Sequence, residues 1–334
     1  MKQKYALIDT ANTFFRARHV ASRNSDPWEK VGMALHLTLA SCNQIVRKFG
    51  IDHVVFCTEG RSWRKDYYEP YKKNRIVDTQ AQTQAEKEEN ELFWDTYEKF
   101  TIFLREKTNV SVLRDPKAEA DDLIARFIKL HPADDHFLIS SDTDFLQLIA
   151  PNVKQYNGIT NELITLEGYM KENGKPVIDK KTKEPKLLGD PQFILFEKCM
   201  RGDATDNVFS AYPGVRTKGS KNKVGLMEAY ADRTKQGYSW NNIMLQRWSD
   251  HNEVEHRVRD DYERNRVLID LTCQPDDVKL SVDTHIREGV RKTVTPQVGI
   301  HFMKFCGKFE LTKISEQADT YAKWLNAPYK GSLV

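Results

Sequence analysis

The stretch from His136 to Ile149 reads HFLISSDTDFLQLI. Its apolar run, Phe137-Leu138-Ile139, is too short for a buried helix and fits a strand covered on both faces. Ser140-Ser141-Asp142-Thr143-Asp144 follows, and Phe145, Leu146, Leu148 and Ile149 resume at helical spacing. Two carboxylates therefore stand where a strand gives way to a helix, the edge at which open α/β sheets bind ligands. Two residues apart, Asp142 and Asp144 reach one small volume and repel there unless a cation or protons neutralise them. Capping of the next helix by Ser141 and Asp142 explains the same residues about as well. The decision rests on whether carboxylates recur in this position along the chain.

They do. Tyr5-Ala6-Leu7-Ile8 is an apolar strand ending at Asp9, and His53 to Cys57 is another, followed by Glu59. Val110 to Leu113 is a third. Beyond Pro116 comes KAEADDLIARFIKL, where Glu119, Asp121 and Asp122 open a helix with the core face Leu123, Ile124, Phe127 and Ile128. Acids in a first helical turn are favoured by the macrodipole alone, so this triplet counts only in company. Lys30 to Phe49, ended by Gly50, and Leu92 to Lys107 read as helices between the strands. Farther on, Gly202-Asp203-Ala204-Thr205-Asp206-Asn207 follows a helix at Gln192 to Met200. Strands alternating with helices predict an α/β fold with a mostly parallel central sheet, and right-handed crossovers set the strand ends along one edge. So many acids at one edge require cations. Oxygen donors without His or Cys at ligand spacing select magnesium or manganese. Two such ions about 4 Å apart are a standard arrangement for hydrolysing phosphodiesters.

The 334 residues suffice for one large or two ordinary domains. With 40% hydrophobic and 30% charged residues, the chain is globular rather than disordered. No 18-residue apolar run and no secretory segment occur, which predicts a cytoplasmic protein without membrane contact. The five scattered cysteines include no CxxC pair, arguing against zinc and a disulfide framework. Net charge is only +3, yet the cations cluster, and clusters are the better guide to an anionic partner. Arg61 to Arg75, RSWRKDYYEPYKKNR, interleaves six basic residues with four aromatics. That pattern suits single-stranded nucleic acid, with Arg61, Arg64, Lys65 and Lys73 on phosphates and bases stacked on rings. Ile76 to Asn90 is polar, with almost no apolar residues after Ile76 and Val77, which predicts that the segment between Glu59 and Leu92 is mobile until substrate orders it; the alternative is one long, stable helix from Gln84 to Lys107 docked on the sheet. Tyr212-Pro213-Gly214-Val215 leads into Arg216, Lys218, Lys221 and Lys223, a basic glycine turn able to present amides and ammonium groups to phosphates. Lys171 to Lys186 holds six lysines and reads as an exposed surface loop. Val153 to Leu166 reads as a hairpin, and Asn222 to Ala231, Asn241 to Trp248 and Glu253 to Ile269 as helices.

EADDLIA (Glu119 to Ala125), ISSDTDFLQL (Ile139 to Leu148), and GDATDN followed by PGV (Gly202 to Asn207, Pro213 to Val215) resemble the structure-specific 5′-nuclease family. That family includes flap endonucleases and the 5′-nuclease domains of bacterial DNA polymerases. RSWRKDYYEPYKKNR resembles its arch entrance and RNRVLIDL (Arg264 to Leu271) a later segment, so the resemblance spans roughly Tyr5 to Leu271. It implies a nuclease core over residues 1–190 with an arch near 60–107. It further implies a helical DNA-binding region over 191–334 that contains a helix–three-turn–helix near 191–232. By motif, Asp9, Glu59, Glu119, Asp121 and Asp142 form the tighter of two Mg²⁺ (or Mn²⁺) sites, and Asp144, Asp203 and Asp206 complete the second. Asp122 acts through water. Tyr71 and Lys72 stack on and steer the scissile end, and Arg75 holds a phosphate. Glu59 stands where the family has Asp, and VRTKGSKNK after Gly214 lacks the family's glycine pattern, which argues against a potassium ion there. The implied activity is 5′-to-3′ exonuclease and flap endonuclease with ribonuclease H activity. Its substrates are DNA and RNA–DNA hybrids with 5′ ends or flaps, cut during RNA-primer removal. The implied protein is a monomer, with a single-strand-binding protein or a sliding clamp as replication partner. A PIN-type ribonuclease uses a similar acidic cluster but lacks the Arg61 to Arg75 segment and the glycine turn. A non-catalytic junction-binding relative would have lost several of these carboxylates.

Overall fold

The computed structural model describes residues 2–16, 26–75, 82–221 and 223–333. They form two compact units. One comprises residues 2–61, Gln82–Leu188 and 276–333; the other comprises residues 62–75 and Gly189–Pro275.

In the first unit the strands are β1 (Lys4–Asp9), β2 (His53–Thr58), β3 (Ser111–Arg114), β4 (Asp135–Ile139), β5 (Val153–Asn157), β6 (Glu162–Thr165) and β7 (Gly168–Lys171). They lie in the order β3-β2-β1-β4-β5-β6-β7. The pairs from β3 through β5 are parallel, and β6 and β7 add antiparallel. The expected parallel sheet flanked by helices is therefore present. Ala6 stands opposite Val54 and Phe137. Alternation along the strands sends Ala6, Ile8, Val54, Phe56, Phe137 and Ile139 into one core shared with the helices Pro27–Phe49 and Gln84–Lys107. The opposite parity meets the helix Ala120–Leu130, where Tyr5 packs edge-on against Phe127 with centroids 5.1 Å apart.

The helix ends follow from local chemistry. Asp26 caps Pro27–Phe49 by accepting from Trp28 N at 2.8 Å, and Gly50 closes it at φ 62°, a conformation that favours glycine. Gln84–Lys107 opens on a capping box between Thr83 and Glu86. Residues 84–90, expected to be mobile, thus belong to a helix whose later turns bury Phe93, Tyr97, Phe100 and Leu104; residues 76–81 of that expectation lie outside the described residues.

Residues 276–334 were expected with the DNA-binding region. Their described part instead completes the sheet unit: Phe302, Phe305, Phe309, Trp324 and Leu325 share the core of Ile8 and Phe56. Their apolar spacing required a partner surface, and the sequence did not say which. Likewise residues 62–75 group with the helical unit rather than with the sheet.

The second unit holds the helices Arg64–Tyr67, Pro191–Arg201, Leu226–Ala231, Tyr238–Met244 and Val258–Ile269. Phe196, Met200, Leu226, Trp240 and Val258 form its core. The helix expected at Asn241 to Trp248 stops at Met244, and the one expected from Glu253 begins at Val258. Between them Arg247–Ser249 pairs with Glu255–Arg257. The cause is Trp248, which donates from Nε1 to the Ala211 carbonyl at 2.9 Å and stacks on His256 at 4.4 Å.

Candidate metal centre

Asp9 ends β1, Glu59 follows β2, and Asp142 follows β4, so the three stand at the carboxyl ends of neighbouring parallel strands. Asp9 accepts from Asn12 N at 3.2 Å and from the Ser140 hydroxyl at 2.9 Å. Ser140 Oγ in turn accepts from Asp142 N at 3.1 Å, tying the ends of β1 and β4 together. Ser141 bonds the Asn12 side chain through both its amide and its hydroxyl, each at 3.0 Å. Asp142 Oδ1 accepts from Asp144 N at 2.9 Å, and the expected α-helix is a short 3₁₀ turn, Thr143–Leu148. Asp142 therefore caps the turn, and its charge reaches Asp121. Gln155 holds this loop by donating to the Ser140 and Asp142 carbonyls at 3.0 and 2.6 Å.

Gly60 N bonds the Ala118 carbonyl at 2.9 Å, and a side chain at Gly60 would collide with the Asp115 carbonyl. That close approach brings Glu59 to the start of Ala120–Leu130, where its Oε2 accepts from Ala120 N at 3.2 Å. Asp121 lies in this first turn. Burial, then the charges of Asp9, Glu59, Asp142 and Glu119, push its carboxyl well above the ordinary 3.8. Five acids thus share one electrostatic neighbourhood. Burial, and then Asp9, Asp121 and Glu59, also raise the Cys57 thiol. The donor set fits a hard divalent cation. Even so, among the described residues no three His, Cys, Asp or Glu side chains are placed to hold one ion together. Local donors draw several of these carboxylates aside: Ser140 and Asn12 at Asp9, Ala120 N at Glu59, and Asp144 N at Asp142. Asp122, expected to act through water, is fully buried and accepts from Glu119 N at 3.2 Å, so it caps the helix.

All but one of the remaining expected residues lie in the second unit. Asp203 is bound by Lys198 Nζ at 2.8 Å and by Thr205 through its amide and hydroxyl at 2.8 and 2.6 Å. Burial raises its carboxyl, but Lys198 and Thr205 outweigh burial and bring it down to about 2. Asp206 accepts from Tyr71 Oη at 3.0 Å and Arg75 Nη2 at 2.6 Å, and Lys72 Nζ lies 3.4 Å away. Its carbonyl takes Lys72 N at 2.9 Å, which holds Lys72 at φ 55°. The expected catalytic trio therefore converges on an expected metal ligand. Tyr71 does not offer a stacking face: its ring is buried with Cys199, Val208, Leu268 and Ile269. Arg64 is likewise no surface cation. It is 2% exposed and donates from Nε to the Leu268 carbonyl at 2.8 Å. Lys65 and Lys73 are exposed, the latter paired with Glu69, and Arg61, in the first unit, is exposed.

The glycine turn lies between Pro191–Arg201 and Leu226–Ala231. Gly214 takes φ 74°, and Arg216, Lys218, Lys221 and Lys223 are exposed. Glu228 pins the turn by accepting from Gly219 N and Gly225 N, both at 2.9 Å. Lys171 to Lys186 is exposed, as expected, and backbone bonds such as Tyr169 N to the Lys186 carbonyl at 3.0 Å order it. Sequence reasoning missed Ser140, Asn12 and Lys198, whose roles depend on partners distant in the fold or one helical turn away. Tyr97, on the helix Gln84–Lys107, is a further such residue. Burial, then Glu59 and Asp9, raise that phenol, which places it beside the acids.

Among known proteins, the family model described as the 5′-3′ exonuclease N-terminal resolvase-like domain matches residues 4–175. Ribonuclease H of Enterobacteria phage T4 is 29% identical, covering 84% of this chain and 85% of that protein. DNA polymerase I of Rhizobium leguminosarum is 26% identical over 93% of this chain, which spans only 28% of the polymerase. A solved T5 5′-exonuclease with divalent zinc ions bound aligns over 86% of this chain and 99% of its own, at 19% identity and a TM-score of 0.58, a likeness of fold. An acid-edged parallel sheet of this kind defines a class of nucleases, enzymes that hydrolyse phosphodiester bonds. The chain belongs to the 5′-3′ exonuclease family within it.

Proposed function

We propose that this chain is a divalent-metal-dependent nuclease that hydrolyses phosphodiesters at 5′ ends and 5′ flaps, including the RNA of RNA–DNA hybrids, and so removes RNA primers during replication. The observation that carries this reading is the placement of Asp9, Glu59 and Asp142 at the carboxyl ends of neighbouring parallel strands, with Glu119 and Asp121 at the start of the helix that follows β3. Asp9, Glu59, Glu119, Asp121 and Asp142 would hold magnesium or manganese. Such ions supply a nucleophilic hydroxide near neutral pH and offset the charge that builds on the phosphorus oxygens. The chain's own residues do the rest. Ser140 and Asn12 fix the Asp9 carboxylate. Arg216, Lys218, Lys221 and Lys223, around the glycine turn, bind duplex phosphates without sequence preference. The test is digestion of a 5′-labelled flap and of 5′- and 3′-labelled RNA–DNA hybrids, with magnesium and with EDTA. Release of short 5′ fragments only with the metal supports the reading, and products that begin at the 3′ end overturn it.

A further inference from the structure

A cavity of about 360 Å³ in the sheet unit begins at Thr58 and Glu59, the carboxyl end of β2, and runs beside β3. Its walls come from the helices Gln84–Lys107 and Asp276–Gly289. Two features mark it as a ligand site. One is His285, which lines it. Its Nδ1 lies 2.9 Å from both the fully buried Asp115 carboxylate and the Ser281 carbonyl, which fixes the ring and leaves Nε2 uncommitted. Trp94 supplies a half-exposed indole, seated on Phe15 with centroids 4.5 Å apart.

Arg114, from β3, also faces this space. Its nearest acid, Glu98, is 3.9 Å away, and both side chains are at least half exposed, a pairing too weak to commit the guanidinium. An aromatic face, a fork of guanidinium donors and an oriented imidazole together match a base and its phosphate. The volume lies in the range of small-ligand pockets. We infer that this cavity is a subsite for a 5′-phosphorylated nucleotide, with the base on Trp94 and the phosphate between Arg114 and His285. The choice of ligand rests on the nuclease reading, because the cavity opens at Glu59 and a 5′ nuclease releases such nucleotides there.

The test is calorimetric titration of the full chain in EDTA with deoxyadenosine 5′-monophosphate and, separately, with deoxyadenosine. Submillimolar binding of one monophosphate is expected, with deoxyadenosine at least about tenfold weaker. Arg114→Gln and His285→Asn should each weaken the monophosphate by about tenfold. Arg114 is a surface residue, so its variant tests the site without risk to the fold. Absence of monophosphate binding, or binding unmoved by Arg114→Gln, overturns the subsite even where flaps are cut. Binding lost in Arg114→Gln supports it even where no flap is cut, and that combination would fault the nuclease reading alone.

Discussion

Ser140→Ala removes a fully buried hydroxyl that serves two groups at once. The hydroxyl donates to Asp9 Oδ2 at 2.9 Å and accepts from Asp142 N at 3.1 Å. A bond to a charged group contributes about 1.5–3 kcal/mol and a neutral one about 1 kcal/mol, and at a buried site no water replaces either. The loss should therefore be about 2–4 kcal/mol. At roughly 2–4 °C per kcal/mol, the melting temperature should fall by roughly 4–16 °C. Asp9, nearly buried, would lose a donor that fixes its carboxylate, so magnesium should bind more weakly. Urea denaturation in EDTA, followed by circular dichroism, reads the first effect; magnesium titration reads the second. A stability change below about 0.5 kcal/mol, the range of ordinary surface substitutions, would refute the bridge between β1 and β4.

Asp142→Asn should abolish cleavage of a labelled flap while leaving DNA affinity within about twofold, because affinity comes chiefly from cations on phosphate; a gel-shift titration beside the activity assay checks both. Lys218→Ala with Lys221→Ala should make the dependence of log affinity on log salt shallower by about 2; an unchanged slope would mean that neither lysine meets phosphate. The Asp121 carboxyl lies above its ordinary 3.8 in the folded chain. As pH rises past that value the unfolded chain loses this proton first, so stability is full below it and declines toward the folded value. Asp121→Asn should remove that decline, which denaturation in EDTA at pH 5 and pH 8 measures; equal slopes for both proteins would refute the raised carboxyl.

Strand ends were legible in the sequence because apolar runs buried on both faces are unambiguous when a carboxylate and a helical period follow them. Asp9, Glu59 and Asp142 were readable for that reason. Tyr71 and Arg64 were misread because a basic, aromatic stretch looks the same whether its rings and guanidinium meet bases or a neighbouring core. Only the tertiary partners, Leu268 and Val208 among them, separate the two cases. Tyr97 was hidden differently. It occupies an apolar position in a helix between Phe93 and Phe100, and nothing in that spacing reports an unpaired hydroxyl. The capping box at Thr83 and Glu86 was present in the sequence, yet the polar run around it pointed to disorder.

The C-terminal helices share one core with β1 and β2, while Gly189–Pro275 belongs to the other unit. On the ribosome, the strands therefore emerge long before the residues that cover them. Phe302, Phe305 and Trp324 arrive only after the helical unit has been synthesised in full. Until then the core that these residues share with the helices Pro27–Phe49 and Gln84–Lys107 is only partly covered, and nascent chains of this length are exposed to aggregation through it. A nonsense mutation near residue 290 would accordingly spare every expected metal ligand and every basic residue of the glycine turn, and still yield a protein unable to close its own core.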